Sequence, residues 1–344
     1  MRIREVTDPE EWNRYLAGFR HASSLQTWGW GEVKRASGWR VRRWLVGPEN
    51  RPLLAAQVLT RGRGPLAISY VPRGPAFDDL EALVEGLPAL RAAASGGYLK
   101  IEPPLALPAD RDPPRLGGAV PAETIQPEYS IQVLLDDEEA MLGRMKPKTR
   151  YNIRLSGRKG ATGRIVHPTD PDAEEAFAAF FALFTATNRR ARLLQHSRDY
   201  YRRVFSAMHG RGSEAFLSLA ELDGEPLAAG LFVAFKDRVD YLYGGSTRAH
   251  RQVMAPYRMH WTAMLHGRAT GRRYYDLWGV PRVLSPESHA YGIYRFKEGF
   301  GGERVRFPAY DLPRSWLYRP LTRALRLRKD LVNWRVRGSR RDVL

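Results

Sequence analysis

Hydrophobic and polar positions follow two periods along this chain, and together they predict an α/β protein. Runs rich in β-branched and aromatic residues predict strands at 40–47, 52–60, 66–71, 97–102, 130–135, 215–222, 226–235, 239–243 and 274–281. Apolar residues that recur every three or four positions predict helices at 9–20, 79–94, 144–159, 170–187, 255–270 and 316–337. Residues 103–127 are rich in Pro and Gly without such a period, and they predict a surface loop.

The predicted elements repeat in the same order half a chain apart. Residues 52–56 resemble 226–229, residues 68–70 resemble 241–243, and residues 98–101 resemble 274–277, at offsets of 174, 173 and 176. The preserved order predicts two copies of one α/β domain, and a cleft between two such copies is a preferred place for a ligand. We expect the first domain at 1–143 plus 308–344 and the second domain at 144–307.

Composition supports a globular protein with two domains. The chain has 344 residues, of which 43% are hydrophobic and 11% aromatic. It has no cysteine, which excludes disulfides and thiolate metal sites. The N-terminus lacks the apolar core of a signal peptide, and the longest apolar run is far shorter than the roughly 20 residues of a spanning helix. We therefore expect a cytoplasmic protein.

The net charge of +18 is concentrated in two stretches. Residues 144–164 hold eight Lys or Arg and no acid, and residues 314–344 hold ten against two Asp. Such stretches indicate a polyanionic partner, whereas the ordinary alternative is a solvated face plus a basic tail. Arg150, Arg154 and Arg158 share one face of the predicted helix. The C-terminal helix either packs on the first domain or lies at a membrane surface.

Residues 291–303 form the segment with the clearest chemical signal. Lys297 lies among aromatic residues and precedes Gly299, Gly301 and Gly302. A cation beside aromatic rings and glycine backbone suits an anion or a developing oxyanion. The alternative is a tight turn whose lysine lies along the surface.

Four other positions are candidates for a site. Residues 72–75 predict an extended, solvent-facing turn that presents Arg73. Glu102 ends a predicted strand before a proline break, and His196 and Tyr200 lie four residues apart on one helix face. We expect no metal site, because the histidines show no ligand spacing; those considered are His196, His209, His250, His260, His266 and His289.

Six motifs in order resemble those of the FemABX peptidyltransferases. They are residues 25–34, 70–75, 146–154, 241–246, 275–279 and 296–302. The resemblance implies two tandem GNAT-like domains, each with a mixed sheet flanked by helices, and no coiled-coil arm. It implies transfer of an amino acid from aminoacyl-tRNA to the side-chain amine of a peptidoglycan stem peptide, which is carried on UDP-MurNAc-pentapeptide or lipid II. It also implies a monomer without a cofactor, with possible peripheral contact of 314–344 with the inner membrane surface.

The resemblance also implies roles for individual residues. Lys34 would contact acceptor phosphates, Tyr200 and Tyr243 would bind the acceptor, and His196 stands where the family usually has arginine. Phe296 and Lys297 would lie at the aminoacyl end of the tRNA. Glu102 would be a substrate-contacting acid, either as a base or as a plain acceptor contact. We add Arg73 as a substrate contact and assign tRNA to the basic helix through Lys148, Arg150, Arg154 and Arg158.

Three other functions stay open at this point. An acyl-CoA N-acyltransferase would carry a glycine-rich pyrophosphate loop at a helix start, and residues 115–120 match it poorly. A non-catalytic RNA- or membrane-binding protein would need the basic stretches but not Lys297. A related enzyme acting on a sugar or another small amine would share the same fold.

Overall fold

The chain folds into two compact units, seen in a computed structural model. Unit one comprises residues 1–128 and 305–344, and unit two comprises residues 129–304. The structure describes residues 1–288 and 290–337, without the side chains at 328–329 and 332–337. His289, whose ligand spacing was considered above, and the basic residues of 338–344 therefore lie outside the described residues.

Asp side chains cap two helices of unit one, and its strands form one sheet. Asp8 accepts a hydrogen bond from the backbone of Glu11, and Asp79 accepts one from Ala82, so both helices begin where the sequence predicts. The elements are β1 (Ile3–Glu5), α1 (Pro9–Gly18), α2 (Trp28–Ala36), β2 (Arg40–Val46), β3 (Leu54–Arg61), β4 (Ile68–Val71), α3 (Leu80–Ala93), β5 (Tyr98–Ile101), β6 (Leu107–Pro108) and β7 (Val120–Pro121).

Unit two then follows, and the chain finally returns to unit one. The elements up to residue 298 are β8 (Tyr129–Leu134), α4 (Glu138–Arg144), α5 (Pro147–Arg158), β9 (Thr162–Val166), α6 (Ala173–Ala191), α7 (Arg198–Ala207), β10 (Ser213–Leu222), β11 (Glu225–Phe235), β12 (Arg238–Ser246), α8 (Ala255–Ala269), β13 (Tyr274–Val280) and α9 (Tyr291–Glu298). The last elements are β14 (Glu303–Arg306), β15 (Tyr310–Pro313) and α10 (Tyr318–Arg337).

The two sheets have the same strand order and directions. Unit one has the order β1-β2-β3-β4-β5-β15-β7, and six strands of the eight-stranded second sheet follow the matching order β9-β10-β11-β12-β13-β8. Neighbouring strands are antiparallel except for one parallel pair in each unit, β4–β5 and β12–β13. The predicted α/β class and the repeat are therefore confirmed, with each mixed sheet flanked by helices.

The structure divides the chain at a different place from the predicted boundary at 143/144. Strand β8 pairs antiparallel with β13, so unit two begins at Tyr129. In unit one the corresponding place beside β5 is taken by β15, from the other end of the chain. Each sheet thus gains its last strand from a different direction in the sequence, and periodicity within a strand carries no information about its partner.

Apolar residues of the helices and strands form a core in each unit. In unit one, Leu83, Leu87 and Leu90 of α3 are fully buried against the sheet. In unit two, Phe177, Phe180 and Phe184 of α6 are buried, and the centroids of neighbouring rings lie 5.7 to 5.9 Å apart. The three- and four-residue spacing that predicted both helices is the spacing that places these side chains on one face.

Several elements differ from the prediction. Residues 291–298 form a helix rather than the loop expected there, and Lys297 lies in its last turn. The predicted basic helix 144–159 begins later, because Arg144 ends α4 and α5 starts at Pro147, whose missing N–H suits a first turn. The predicted loop 103–127 contains the short strands β6 and β7. Among the described residues, no helix has the length and apolarity needed to cross a bilayer.

Candidate active site

A bulge in β13 forms the backbone of the site in unit two. Pairing of β12 with β13 ends at Asp240 and Asp276, and the register of β13 against β8 shifts between Asp276 and Gly279. Trp278 has a φ of 59°, a left-handed conformation that is uncommon for a bulky residue. The bulge turns the carbonyls of Trp278 and Gly279 out of the sheet ladder, where they accept hydrogen bonds from a side chain.

Asp276 holds this bulge in place. Its carboxylate is 1% exposed and accepts hydrogen bonds from the backbone N–H of Trp278 at 2.7 Å and from the amide of Gln132 at 2.8 Å. The hydroxyl of Ser130 donates a further hydrogen bond to it. A buried carboxylate with this many donors is a rigid anchor, because each lost donor would leave buried charge unsatisfied.

Lys297 is the cation that the bulge receives. The residue is 8% exposed, and its Nζ donates to the carbonyl of Gly279 at 2.8 Å and to that of Trp278 at 3.3 Å. Nζ also lies 5.6 Å from the ring centroid of Tyr241. Burial lowers the pKa of Lys297 to about 7, and the charge of Asp276 partly opposes this shift. The side chain can therefore gain or lose a proton near neutral pH.

Aromatic side chains keep the surroundings of Lys297 dry. His260 is buried and its Nδ1 lies 2.6 Å from the hydroxyl of Tyr275. Burial, and then the charge of Lys297, lower the pKa of His260 to about 3, so the imidazole is neutral. Phe296 lies 5.5 Å from His260 and 5.1 Å from Tyr257 between ring centroids. A charge in such a low-dielectric setting acts more strongly on a bound group than it would in water.

A pocket of about 330 Å³ opens beside these rings. Phe296 and Tyr257 line it together with Arg190, Arg248 and Arg251 and with the first turn of α8. Burial lowers the pKa of Arg190, and Arg248 and Arg251 lower it further. Three guanidinium groups and a helix N-terminus around one space favour an anion such as a phosphate.

A second group of predicted residues also comes together in unit two. The rings of His196 and Tyr200 stack with centroids 4.0 Å apart, although His196 precedes α7 and so does not share a helix face with Tyr200 as predicted. Burial raises the pKa of Tyr200 to about 12. Burial, followed by the interaction with Tyr200, raises that of Tyr243 well above its usual range. These phenols stay protonated and can donate hydrogen bonds to a ligand.

Lys34 and Arg73 lie in unit one and differ in accessibility. Lys34 is half-buried, its Nζ lies 4.3 Å from the Trp30 ring centroid, and burial lowers its pKa to about 8. Arg73 is only 2% exposed. Its guanidinium donates to the carbonyl of Pro127 at 2.6 Å and lies 3.8 Å from the ring centroid of Phe307. The prediction that Arg73 faces solvent is therefore wrong, because a distant carbonyl and ring enclose it.

Glu102 is buried in unit one as a structural anion. It is 0% exposed and accepts hydrogen bonds from the hydroxyl of Tyr70 at 2.6 Å and the backbone N–H of Gln126 at 3.2 Å. The backbone N–H of Ile125 donates to it as well. A general base must reach the proton that it removes. The enclosed carboxylate instead fixes the backbone of residues 125–126, and this geometry does not support the predicted catalytic role.

The basic helix α5 presents most, but not all, of its predicted residues. Arg150 donates to the carbonyls of Leu142, Gly143 and Met145 at 3.1 to 3.2 Å, so it caps the end of α4 rather than facing a partner. The side chains that remain exposed on α5 are Lys148, Tyr151, Arg154 and Arg158. The Arg158 guanidinium lies 5.7 Å from the ring centroid of Tyr151.

Sequence reasoning missed the pocket arginines and Asp276. Arg190 ends a helix, while Arg248 and Arg251 lie in the loop before α8, and no fixed spacing connects them. The available signal was the unpaired charge of residues 248–251 between a strand and a proline-started helix. Asp276 lies within the motif 275–279, but its role could not be predicted, because it depends on strand β8, about 145 residues earlier in the chain.

Comparison with known proteins places these features in a family. The FemAB family profile matches residues 119–226 and 223–310. Lipid II:glycine glycyltransferase from Staphylococcus aureus is 21% identical over 377 aligned positions, covering 85% of this chain and 88% of the relative. The crystal structure of FemX aligns with a TM-score of 0.77 at 19% identity, covering 94% of this chain and all of that chain. L-PGS from Bacillus licheniformis aligns with a TM-score of 0.53 at 15% identity, covering 95% and 98%.

Proposed function

Because the chain belongs to the FemAB family, we propose that it transfers an amino acid from aminoacyl-tRNA to the side-chain amine of a peptidoglycan stem peptide. The acceptor is carried on UDP-MurNAc or on lipid II. The printed function of the staphylococcal relative, a lipid II glycyltransferase, supports this reaction class. The observation that carries the proposal is the buried Lys297, whose neighbour Phe296 lines a pocket with three arginines.

The chemistry requires positioning and one stabilised charge. The neutral amine attacks the ester carbonyl, the bond from that carbon to the tRNA 3′ oxygen breaks, and the amine proton leaves as that oxygen takes up a proton. The ester is already activated, so the step needs no metal, cofactor or covalent intermediate. In its cationic form, Lys297 donates a hydrogen bond to the developing oxyanion, a contribution worth about 2.7–4 kcal/mol in comparable sites. Its pKa of about 7 also allows it to supply the proton to the leaving oxygen.

We assign the arginine pocket to phosphates near the 3′ end of the tRNA. Phe296 supports this assignment, because it lines the pocket and precedes Lys297 in the same helix. The aminoacyl ester, at Lys297, would then lie close to the phosphate bound beside Phe296. The exposed face of α5, with Lys148, Tyr151, Arg154 and Arg158, has the charge and the aromatic ring suited to more distant nucleotides.

We assign the stacked pair His196 and Tyr200, with Tyr243, to the acceptor. Two protonated phenols and an imidazole can donate to the peptide carbonyls or phosphates of that substrate. Lys34 is accessible enough to contact its diphosphate. With a pKa of about 8, it is mostly cationic at neutral pH.

We place the enzyme in the cytoplasm, where charged tRNA is found, with contact at the membrane face through the C-terminal segment. Trp316 is 84% exposed, and Leu327 and Leu331 are each 58% exposed. Nearby Arg319, Arg323 and Arg326 are also exposed. Exposed apolar side chains beside cations favour an anionic lipid surface. Cosedimentation with vesicles that contain phosphatidylglycerol, and not with neutral vesicles, tests this assignment.

Transfer of labelled amino acids tests the function directly. Purified chain is incubated with total charged tRNA and either UDP-MurNAc-pentapeptide or lipid II, and ribonuclease-sensitive transfer to one carrier is expected. Lys297→Met should abolish most turnover while tRNA binding persists. The matched control Lys236→Met, in the turn between β11 and β12, should be active. Binding of tRNA by the native chain with no transfer to either carrier would instead indicate a non-catalytic RNA-binding protein.

One observation keeps an acyl-CoA N-acyltransferase as a second candidate. The pocket at the start of α8 could bind the pyrophosphate of coenzyme A as well as the phosphates of RNA. Acetyl-CoA in place of charged tRNA, with the same acceptors, distinguishes the two donors. Product from acetyl-CoA alone would overturn the assignment of the pocket to tRNA.

A further inference from the structure

A cluster of side chains in unit two, separate from the Lys297 bulge, has the chemistry of a metal centre. His167 follows β9, Glu214 lies in β10 and His266 lies in α8. Oε1 of Glu214 lies 2.9 Å from Nε2 of His167 and 2.6 Å from Nε2 of His266. One donor atom from each residue lies within 4.8 Å of the others. Three elements therefore bring two imidazoles and a carboxylate together.

We propose that His167, Glu214 and His266 bind a divalent transition-metal ion, with Zn²⁺ as the favoured ion. Two imidazole nitrogens and one carboxylate oxygen form a known zinc ligand set that leaves a fourth position for water. The side chains are 17% to 27% exposed, so both the ion and a water ligand can enter from solvent. The proposal departs from the expectation of no metal site. The spacing concealed it, because 47 and 52 residues separate Glu214 from the two histidines.

The geometry of the Glu214 carboxylate suits this role. The Nε2 atoms of both His167 and His266 lie within hydrogen-bond distance of Oε1 of Glu214, so this one oxygen is shared between the two imidazoles. Its other oxygen, Oε2, lies 3.7 Å from the guanidinium of Arg272. The two oxygens are thus divided between partners, and Oε1 is the single oxygen available to an ion.

The surroundings also resemble those of bound zinc. Nδ1 of His167 lies 3.6 Å from the carboxylate of Asp170, which also accepts a hydrogen bond from the backbone N–H of His167 at 2.7 Å. This separation is longer than a hydrogen bond, so the carboxylate would orient a metal-bound imidazole only after the two groups approach each other. Phe216 lies 4.7 Å from the His266 ring and provides an apolar wall. Zinc bonds of about 2.0–2.2 Å put ligand atoms about 3.3 Å apart, so the donors need to separate by roughly 0.5 Å.

An ion at this position would hold α8, whose first turn borders the arginine pocket, and would stabilise unit two. His266 lies near the C-terminal end of the helix, and the first turn of α8 borders the arginine pocket. Coordination of one ion by His167, Glu214 and His266 would join the end of β9, strand β10 and helix α8. Since the unfolded chain has no such site, the ion should stabilise unit two.

The test uses the full chain without an affinity tag, stripped with chelator and titrated with ZnCl₂ by calorimetry. One ion per chain with micromolar or tighter affinity is expected, together with a rise in Tm. His167→Gln and His266→Gln should each abolish the stoichiometric binding and the rise in Tm. Co²⁺ in the native chain should give the intense visible bands of a low-coordinate nitrogen and oxygen site.

A matched variant separates this site from general binding by histidine. His21→Gln removes a histidine of unit one whose ring stacks on Phe77 at 4.9 Å, and it should bind zinc as the native chain does. Asp170→Asn should weaken binding about tenfold without changing the stoichiometry. Absence of stoichiometric zinc binding in the native chain would overturn the proposal. Zinc binding by His167→Gln and His266→Gln that equals binding by the native chain would overturn it as well. In either case Glu214 is a hydrogen-bond bridge between two imidazoles.

Discussion

The parallel strand pairs of the two units are built alike but end differently. In unit one, pairing of β4 with β5 continues into Glu102, whose backbone N–H lies 3.2 Å from the carbonyl of Val71 and 3.1 Å from that of Gly74. In unit two, pairing of β12 with β13 stops at Asp276, and the following carbonyls accept the ammonium of Lys297. In unit one, backbone hydrogen bonds extend the end of the parallel strand pair. In unit two, the ammonium of Lys297 occupies the corresponding end.

The difference shows that the same topology can hold a structural charge in one unit and the proposed catalytic charge in the other. Glu102 is saturated by a phenol and two backbone donors, so nothing remains for a substrate. Lys297 has a pKa of about 7, which means that its cationic form is only marginally favoured. A buried group whose ionisation is poised near the working pH is typical of catalysis, whereas a buried group with every partner in place is typical of a scaffold.

The strongest test of this comparison replaces Lys297 with methionine, which keeps the volume and removes the charge. We expect kcat/KM for aminoacyl transfer to fall by about 10²–10³, the usual effect of removing one oxyanion donor. The fold should survive with some loss of stability, because methionine leaves the carbonyls of Trp278 and Gly279 without their donor. Single-turnover transfer rates and circular dichroism measure the two effects. Full activity would show that the cation in unit two is as structural as the anion in unit one.

The second test removes the positive charge of the pocket. Arg248→Ala combined with Arg251→Ala should weaken binding of aminoacyl-tRNA about tenfold and reduce the slope of log K against log salt by about 2, one for each lost phosphate contact. The exposed Arg268, at the far end of α8, provides the matched control as Arg268→Ala. An unchanged slope in the double variant would exclude the pocket from the donor site.

Much of the fold could be predicted from the sequence, since hairpins and helices are set by local patterns. The hairpin β10–β11 follows from Asp223-Gly224 between two apolar runs. Strand β9 was missed because only Val166 of its residues is buried, so it lacks an apolar face. Arg73 and Arg150 were assigned to ligands because the carbonyls that bind them cannot be read from their neighbours. The aromatic surroundings of Lys297 could be predicted, but its carbonyl partners depend on a bulge that no pattern reveals.

The third test changes the pH dependence rather than the reaction. Asp276→Asn removes the negative charge that raises the pKa of Lys297, so that pKa should fall by about one unit. If the cation is required, activity of the native enzyme declines as pH rises through about 7, and in the variant this decline begins at lower pH. Activity at pH 7 should drop about fivefold, with larger losses above it and recovery in acid. Rate profiles from pH 5 to 9 measure the shift, and superimposable profiles would remove Asp276 from the control of Lys297.

The smallest effect on activity should come from Glu102→Gln in unit one. A glutamine cannot accept as a carboxylate does from Tyr70 and from the backbone of Ile125 and Gln126, so stability should fall by about 1–3 kcal/mol. Transfer below the melting temperature should stay within about twofold of the native rate, because the enclosed carboxylate reaches no substrate. Glu85→Gln, on the exposed face of α3, is the control that should change neither quantity. A large loss of kcat with unchanged stability would make Glu102 a catalytic base, and the two strand pairs would then both serve the chemistry.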